Sequence, residues 1–300
     1  MADWDDLKVF LAVARGESLS RAGRVLKLDA ATVGRRVARL EQALDARLFT
    51  RSPQGYVLTD EGGRLVAHAE AIETAMERAA ETLAGPSEGI SGQIRIGAPD
   101  GCANYLLPQV VAGIVAQNPG LEVQIVALPR VFSLSRREAD MVIAVSKPEQ
   151  GRVIATKITD YHLHLAASDR YLRDAPPLET LADLRAHRVI GYIPDMIFDR
   201  ELDYLADLGV EQPPMASNSV SVQLNLIRQG AGVGVAHDFA LPAAAGVRRV
   251  LTSDFSLTRA FWLIRHADDR KLPRIERFAA ALVAGMRAEM RALEGQLQDG

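Results

Sequence analysis

The chain is poor in cysteine and has no long hydrophobic run, and each absence excludes a class of protein. Cys102 is the single cysteine among 300 residues, so neither a disulfide within the chain nor a two-cysteine redox switch can form. No apolar stretch approaches the roughly 20 residues of a transmembrane helix. The opening MADWDDLKVF is acidic where a signal peptide would be basic. We therefore expect a cytoplasmic protein that does not contact a membrane.

Catalytic and metal-binding motifs are also missing. The sequence contains no nucleophile elbow, phosphate-binding glycine loop or zinc signature, so we predict neither an enzyme nor a bound metal or cofactor. The glycines from Gly230 to Gly234 precede a predicted strand, which is the wrong context for a dinucleotide-binding loop. His162 and His164 lie two residues apart without a third ligand, so packing is favoured over metal binding.

Basic charge is concentrated between Arg15 and Arg51. This stretch holds nine basic and four acidic residues, an excess of +5, whereas the whole chain has a net charge of −3. Asp29 is a favourable N-cap for a helix within it. The apolar residues of that helix are spaced four, three and four: Val33, Val37, Leu40 and Leu44. The opposite face is small and basic, and carries Ala31, Thr32, Arg35, Arg36, Arg39 and Gln42.

A shorter helix is predicted just before it, from Ser20 to Lys27, with Ser20 as its N-cap. Its predicted buried side consists of Ala22, Val25 and Leu26. The link to Asp29 is so short that the two helices would cross steeply, as in a helix-turn-helix that reads DNA. The alternative is an ordinary helical hairpin with a solvated basic face. The local charge excess favours DNA binding.

Two further elements complete a predicted winged helix-turn-helix. A first helix covers residues 3–15, with Asp3 as N-cap and Gly16 at its end. After the basic helix, Ser52-Pro53-Gln54-Gly55 fits a type I turn between two short strands, which would form a hairpin or wing. A wing beside a recognition helix usually touches the phosphate backbone, and Arg51 lies at its base.

A long helix is predicted from Thr59 to about Leu83. Its apolar residues recur at heptad spacing and form one seam: Leu65, Ala69, Ile72, Met76, Ala79 and Leu83. Because the preceding domain is small, a partner helix in a dimer is the natural cover for this seam. The alternative is that the helix lies on the next domain of the same chain. Pairing would place two recognition helices about 34 Å apart, the spacing of two half-sites on one duplex.

Residues 4–84 resemble the N-terminal module of LysR-type transcriptional regulators. The shared residues occur in the family's order: Phe10, Ala14, Ser18-Leu19-Ser20, Ala22, Leu26, Leu40-Glu41, Leu48-Phe49, Arg51, Leu58-Thr59 and Gly62-Gly63. The family commonly begins its recognition helix with Ser-Gln-Pro-Ala-Val-Ser, whereas this chain has Asp-Ala-Ala-Thr-Val-Gly from Asp29 to Gly34. The resemblance implies DNA contacts at Thr32, Arg35, Arg36 and Arg51. The further candidate DNA-binding residues around this face are Ser20, Ala31, Arg39 and Pro53.

From Gly89 onward strands and helices alternate, which indicates an α/β architecture with a parallel sheet. About 210 residues are large for one such sheet but fit two small lobes. This part resembles the family's effector-binding domain, whose two lobes have the fold of periplasmic binding proteins. The residues that carry the resemblance are Arg95-Ile96-Gly97, Leu106-Leu107-Pro108, Asn118-Pro119, Ala139-Asp140 and the segment from Gly230 to Val235.

The predicted organisation therefore has three parts. Residues 1–58 form the winged helix-turn-helix, 59–88 the linking and dimerisation helix, and 89–300 the effector-binding domain. The resemblance implies that lobe I comprises about 89–160 and 267–300, and that lobe II comprises about 161–266. Separate strands, 153–158 and 162–167, are predicted on either side of the first boundary.

Ligands of open α/β sheets bind beyond the carboxyl ends of the strands. The candidate effector-binding residues in those loops are Pro99, Asp100, Gly101, Cys102, Val131, Phe132, Pro194, Ser219 and His237. The family often has serine or threonine where Asp100 stands, which suits an anionic effector at a helix N-terminus. A carboxylate there would repel an anion unless it is protonated or paired, so the hypothesis is a neutral or cationic effector. Alternatively, Asp100 only caps a helix.

Cys102 has two interpretations. At a helix start, a lowered pKa would make its thiol a redox or alkylation sensor. Packing is the more common role of a lone cysteine.

Together these features predict a homo-oligomeric transcriptional regulator, dimer or tetramer. It would bind double-stranded promoter DNA and respond to a small-molecule effector of unknown identity. The competing interpretation is a solute-binding protein or an enzyme on the same two-lobed fold. The basic N-terminal unit argues against that alternative.

Overall fold

The computed structural model of the chain describes residues 3–52, 55–84, 89–127, 139–148, 153–267 and 272–297. The chain divides into two compact units. The first is built mainly from residues 1–88, and the second from residues 89–132, 139–267 and 274–300. None of the helices within the described ranges is long and apolar enough to cross a membrane.

The first unit is a three-helix core with a hairpin and a long final helix. Its elements are α1 (Trp4–Gly16), α2 (Leu19–Leu26), α3 (Ala30–Leu44), β1 (Phe49–Ser52), β2 (Gly55–Leu58) and α4 (Asp60–Ala84). Asp3 and Asp29 cap α1 and α3, as predicted, because each carboxylate accepts a hydrogen bond from a backbone N–H of the first turn. The antiparallel pairing of β1 with β2 confirms the hairpin.

Helix α2 differs from its prediction in two respects. Ser18 is the N-cap, since its hydroxyl accepts a hydrogen bond from the Arg21 N–H, and Ser20 lies inside the helix. Val25 is 74% exposed, because it lies about 200° around the helix from the buried Gly23. A Cβ on Gly23 would lie 2.4 Å from the carbonyl oxygen of Leu28, so the tight turn into α3 requires glycine. Leu44 at the end of α3 is also partly exposed rather than buried.

The first half of the heptad seam on α4 packs against the core of the same unit. Ala69 is fully buried, and Leu65 packs beside it against the core of α1 and α3. Arg15 of α1 holds this face in place through a paired hydrogen bond to Glu73 at 2.7 and 3.2 Å. Leu65 and Ala69 therefore contact their own domain.

The second half of the seam is exposed. Ile72 and Met76 are 42% and 55% exposed, and Ala79 is also exposed. The side chain of Leu83 lies outside the described residues. The apolar surface left to a partner helix thus begins at Ile72.

In the residues that the structure describes, the second unit is built around one mixed sheet of nine strands. Its strands are β3 (Gly92–Ala98), β4 (Leu121–Ala127), β5 (Met141–Ala144), β6 (Val153–Ser168), β7 (Val189–Gly191), β8 (Met215–Ala216), β9 (Val233–His237), β10 (Val247–Arg249) and β11 (Ser256–His266). Its helices are α5 (Asp100–Tyr105), α6 (Leu107–Ala116), α7 (Asp169–Asp174), α8 (Val220–Arg228) and α9 (Pro273–Glu294). Short 3₁₀ turns occupy parts of the segment between 181 and 243.

The strand order is β4-β3-β5-β11-β6-β9-β7-β8, with β10 paired to β6. Parallel pairs form two groups, β3 with β4 and β5, and β7 with β8 and β9. The predicted parallel pairing is therefore present in each lobe, and the long antiparallel strands β6 and β11 connect the two. Lobe I contains β3, β4 and β5, and lobe II contains β7, β8 and β9.

Two predicted boundaries inside this unit are wrong. The predicted strands 153–158 and 162–167 are one strand of 16 residues, because β11 pairs with the intervening residues as well: Thr159, Asp160 and Tyr161 lie opposite Phe261, Ala260 and Arg259. The apolar spacing after β3 predicts a single helix from Cys102 to Gln117, but the structure has two helices, α5 and α6. They separate at Leu106, whose backbone leaves the helical region, and Pro108 stands in the first turn of α6.

Candidate functional site

The start of α3 carries a small network of exposed polar side chains. The Asp29 carboxylate accepts hydrogen bonds from the Thr32 N–H at 2.8 Å and the Thr32 hydroxyl at 2.7 Å. These bonds lower the pKa of Asp29. The Arg35 guanidinium donates to the same Thr32 hydroxyl at 2.9 Å. The predicted contacts Thr32 and Arg35 are thus positioned together on the N-terminal turns of the helix.

Arg39, further along the same helix, has a different partner. Its guanidinium donates two hydrogen bonds of 2.5 Å to the two carboxylate oxygens of Asp6 in α1. The Asp6 side chain is only 2% exposed, so this pair fastens α3 to α1. The hydrogen bonds that Arg39 donates to the Asp6 carboxylate raise the pKa of Arg39. Arg36 lies 4.0 Å from Asp5 in the same acidic turn.

The remaining predicted DNA contacts surround this face. Ser20 on α2 and Ala31 at the start of α3 are exposed. Arg51 is exposed on β1, donates to the Tyr56 hydroxyl at 3.2 Å and lies over the Tyr56 ring. Pro53 lies outside the described residues. Tyr56 has no role in the sequence-based prediction, although its place opposite Arg51 in the predicted hairpin could have indicated it.

Gly34 replaces the serine that is common in the family. A Cβ at this position would lie 3.3 Å from Cδ1 of Leu19 on α2. The glycine therefore lets α3 pack tightly against α2.

In the second unit, several predicted loops meet between the lobes. Pro99, Asp100, Gly101, Cys102 and His237 line one cavity of about 20 Å³ together with Tyr192, Tyr204, Asn218 and Val220. Ser219 joins them by its hydrogen bond to Asp100. Pro194 instead lines a larger neighbouring cavity of about 560 Å³ in lobe II. Val131 and Phe132 lie outside the described residues.

Asp100 links the two lobes. One of its carboxylate oxygens accepts hydrogen bonds from the Ser219 hydroxyl at 3.0 Å, the Ser221 N–H at 2.9 Å and the Ser221 hydroxyl at 3.0 Å. The other oxygen accepts from the Asn104 amide at 3.1 Å. Pro99 occupies the N-cap position of α5, so Asp100 is not the cap of that helix. Its carboxylate is paired to the N-terminus of α8 instead.

A second bridge crosses between the lobes at Ser146. Its hydroxyl, just after β5, donates to the Asp199 carboxylate of lobe II at 2.5 Å. The two bridges each pair an aspartate with serine. Together they hold loops of lobe I and lobe II in contact around the small cavity.

His237 is a buried polar group in this cavity and is 4% exposed. Its Nε2 atom lies 3.3 Å from the Tyr204 hydroxyl, and within the described chain its Nδ1 atom has no hydrogen-bond partner. Burial lowers the pKa of His237 to about 3, so its ring is neutral at physiological pH. A Cβ on Gly101 would lie 3.6 Å from the ring's Cε1, which places this edge beside the start of α5.

The surroundings of Cys102 and of the two histidines on β6, His162 and His164, favour structural roles for these side chains. Cys102 is buried, and burial raises the pKa of its thiol well above the usual range, which disfavours the reactive thiolate. His164 pairs with Asp238 at 2.9 Å and His162 with Glu294 at 3.0 Å. Among the described residues, no three side chains form a metal-binding group.

Family models match both units. The model of bacterial regulatory helix-turn-helix proteins of the lysR family matches residues 4–63. The model of the LysR substrate binding domain matches residues 87–287. Among curated relatives, the transcriptional regulator PtxR of Pseudomonas aeruginosa is 26% identical over 78% of this chain and 76% of its own. The Mau operon transcriptional activator of Paracoccus denitrificans is 26% identical over 94% and 97%.

Solved structures share the fold. Full-length OxyR from Pseudomonas aeruginosa, in a variant form, superposes with a TM-score of 0.70 at 17% identity, covering 96% of this chain and 98% of that one. Full-length LysG from Corynebacterium glutamicum with bound effector Arg gives 0.66 at 18% identity, covering 95% and 98%. The chain therefore belongs to the LysR family: it is a DNA-binding transcriptional regulator whose two-lobed α/β domain binds a small-molecule effector.

Proposed function

We propose that α3 lies in the major groove of promoter DNA and that Arg35 and Thr32 contact base edges. The network of Asp29, Thr32 and Arg35 carries this proposal, because residues at the N-terminal end of a recognition helix are the ones that reach the bases. Arg36 and Arg51 contact phosphates, with Ser20, Ala31 and Pro53 beside them. Arg39 contributes positive charge to the same face while it remains paired with Asp6.

The domain organisation belongs to the same proposal. Residues 1–58 read DNA, 59–88 link and dimerise, and 89–300 bind the effector. Lobe I comprises about 89–160 and 267–300, and lobe II about 161–266. The exposed residues Ile72 and Met76 support self-association through α4, since a partner helix would cover them. The protein acts in the cytoplasm, where promoter DNA is found, and it has no catalytic activity of its own.

The effector of this proposal is neutral or cationic and binds between the lobes. The Asp100 carboxylate and the neutral His237 ring are the polar groups that meet it. LysG, which shares the fold, holds arginine, a molecule with a cationic side chain. Binding requires the two bridges at Asp100 and Ser146 to open, because a cavity of about 20 Å³ has room for about one water molecule.

Fluorescence anisotropy tests the DNA proposal. The full chain is titrated with a labelled duplex from its own upstream region and with a shuffled duplex of equal composition, at several salt concentrations. We expect tighter binding to the upstream duplex and a steep fall of affinity with salt, because phosphate contacts release counterions. Equal affinity for both duplexes would contradict the proposal.

Isothermal titration tests the effector class. The full chain is titrated with organic acids, amines and neutral compounds of similar size. Heat of binding is expected among the amines or neutral compounds. Tight binding of an acid that survives Asp100→Asn would contradict this part of the proposal.

A further inference from the structure

The N-terminus of α8 presents a cluster of donors that holds an anion. Ser219 Oγ, Ser221 N and Ser221 Oγ, here called the α8 donor site, all lie 2.9–3.0 Å from one carboxylate oxygen. Ser219 is also the N-cap of α8, and its hydroxyl oxygen accepts from the Val222 N–H, which leaves its hydrogen directed at the carboxylate. The helix spans nine residues, and its N-terminus adds positive potential.

The anion in the α8 donor site is the protein's own. Asp100 lies 119 residues earlier in the chain and reaches the site from α5. Hydroxyl and amide donors around a carboxylate make charge-assisted hydrogen bonds, which are stronger than bonds between neutral groups. A carboxylate ligand would need these same three donors.

A second polar group, His237, lines the same cavity, and one of its two ring nitrogens has no hydrogen-bond partner among the described residues. His237 is 4% exposed, and no described residue bonds to its Nδ1 atom. A buried polar atom that the protein leaves unpaired costs free energy, unless a ligand or a water molecule bonds to it. The ring that lines the cavity beside the α8 donor site therefore has one nitrogen to which no described protein group bonds.

We propose that the α8 donor site is an anion-binding site and that Asp100 is its built-in occupant. In the native chain the Asp100 carboxylate fills the site, joins the lobes and excludes ligand carboxylates by occupancy and by charge repulsion. Asp100 is thus the residue that sets the effector's charge class. This inference rests on the proposed role of the cleft in effector binding, but it makes a claim about anions that can be tested without DNA.

The inference is tested by removing the Asp100 carboxylate and supplying a free carboxylate ion in its place. Asp100→Ala removes the carboxylate, and formate supplies the same group as a free ion. The thermal midpoint of the full chain is measured without DNA or effector, with sodium formate or with sodium chloride at equal ionic strength. Asp100→Ala is expected to melt several degrees below wild type, and formate is expected to raise its midpoint along a saturating curve.

Three comparisons make the result specific. Wild type should respond to formate only as it does to chloride, because its site is filled. The double variant Asp100→Ala with Ser221→Ala should bind formate at least about tenfold more weakly than Asp100→Ala, as expected when hydrogen bonds to a charged group are lost. Methylammonium chloride should raise the midpoint of neither Asp100→Ala nor the double variant, because both lack the Asp100 carboxylate.

Two results would overturn the inference. One is an equal formate response in wild type and Asp100→Ala, and the other is an undiminished response in the double variant. Asp100→Ser, which keeps a small polar side chain at the first position of α5, is a second variant held to the same results. If DNA binding fails while formate binds as described, the fault lies in the proposed function and the α8 donor site stands.

Discussion

Arg39 donates two hydrogen bonds from an exposed helix face to the buried carboxylate of Asp6. The pair joins α3 to α1. The Arg39 guanidinium balances the negative charge of the buried Asp6 carboxylate. Arg35 lies one turn earlier on the same helix. Among the described residues, its side chain donates a hydrogen bond only to Thr32, three residues away. Two arginines on one basic face therefore have different roles.

Arg35→Ala is expected to weaken DNA binding and leave the fold intact. Loss of a base contact costs roughly 1–3 kcal/mol, which corresponds to a loss of about 5- to 150-fold in affinity. Anisotropy with the upstream duplex measures this, and thermal unfolding checks stability. The matched control is Arg185→Ala, an exposed arginine of the second unit, which should change neither quantity.

Arg39→Ala is expected to lower the thermal midpoint more than Arg35→Ala does. The physical reason is that a buried carboxylate without its cation is strongly unfavourable. Asp6→Asn with Arg39→Ala should recover part of the lost stability, because the unpaired charge is then removed. A thermal midpoint equal to wild type for Arg39→Ala would show that the pair is not structural.

Ile72→Glu with Met76→Glu is expected to convert the free protein to smaller assemblies. Both side chains are exposed on α4, and two carboxylates on each helix would repel across a paired seam. Sedimentation velocity measures the change, and Leu44→Glu serves as control, since it is also partly exposed but lies on α3. An unchanged sedimentation coefficient would place the interface elsewhere.

The lowered pKa of the buried His237 ring predicts that the folded protein loses stability at acid pH. Its folded pKa is about 3, below the value of about 6.5 expected when unfolded. The unfolded chain therefore binds a proton that the folded chain does not. This contribution to stability is complete above pH 6.5 and falls by about 1 kcal/mol per pH unit as the pH drops toward 3.

His237→Gln removes that dependence, so its stability should fall less steeply than wild type between pH 6.5 and 5. Urea unfolding at each pH measures the two slopes. His68→Gln, at an exposed position on α4, should keep the wild-type slope. Parallel slopes for wild type and His237→Gln would contradict the assignment.

Cys102 is expected to react slowly with a thiol reagent in the folded chain and rapidly in urea. Its burial and raised pKa leave little thiolate to react. A spectrophotometric thiol assay checks this. Fast labelling of the native protein, with a change in DNA affinity, would instead support a sensing role.

The helix-turn-helix could be predicted from sequence because its signals are local. Asp29 caps α3 within one turn, and the spacing of Val33, Val37 and Leu40 identifies the buried side. The apolar spacing wrongly placed Val25 on the buried side of α2. The close approach of α2 and α3 determines which side of α2 is buried, and Val25 is exposed.

The interlobe contacts could not be predicted in this way. The partners of Asp100 lie 119 and 121 residues away, and no local pattern pairs a loop aspartate with serines of a distant helix. The sequence predicts separate strands 153–158 and 162–167, but the residues between them also pair with β11 and keep the strand continuous. Long-range partners decided both cases.

DNA footprinting on the region upstream of the chain's own gene tests most directly whether paired helix-turn-helix units read a promoter. Wild type is predicted to protect two segments on one face of the duplex, with centres about 10 bp or a multiple of that apart. Arg35→Ala should protect neither segment at the same concentration, while Arg185→Ala should protect both. Uniform protection by wild type, or full protection by Arg35→Ala, would contradict the proposed DNA-reading role of α3.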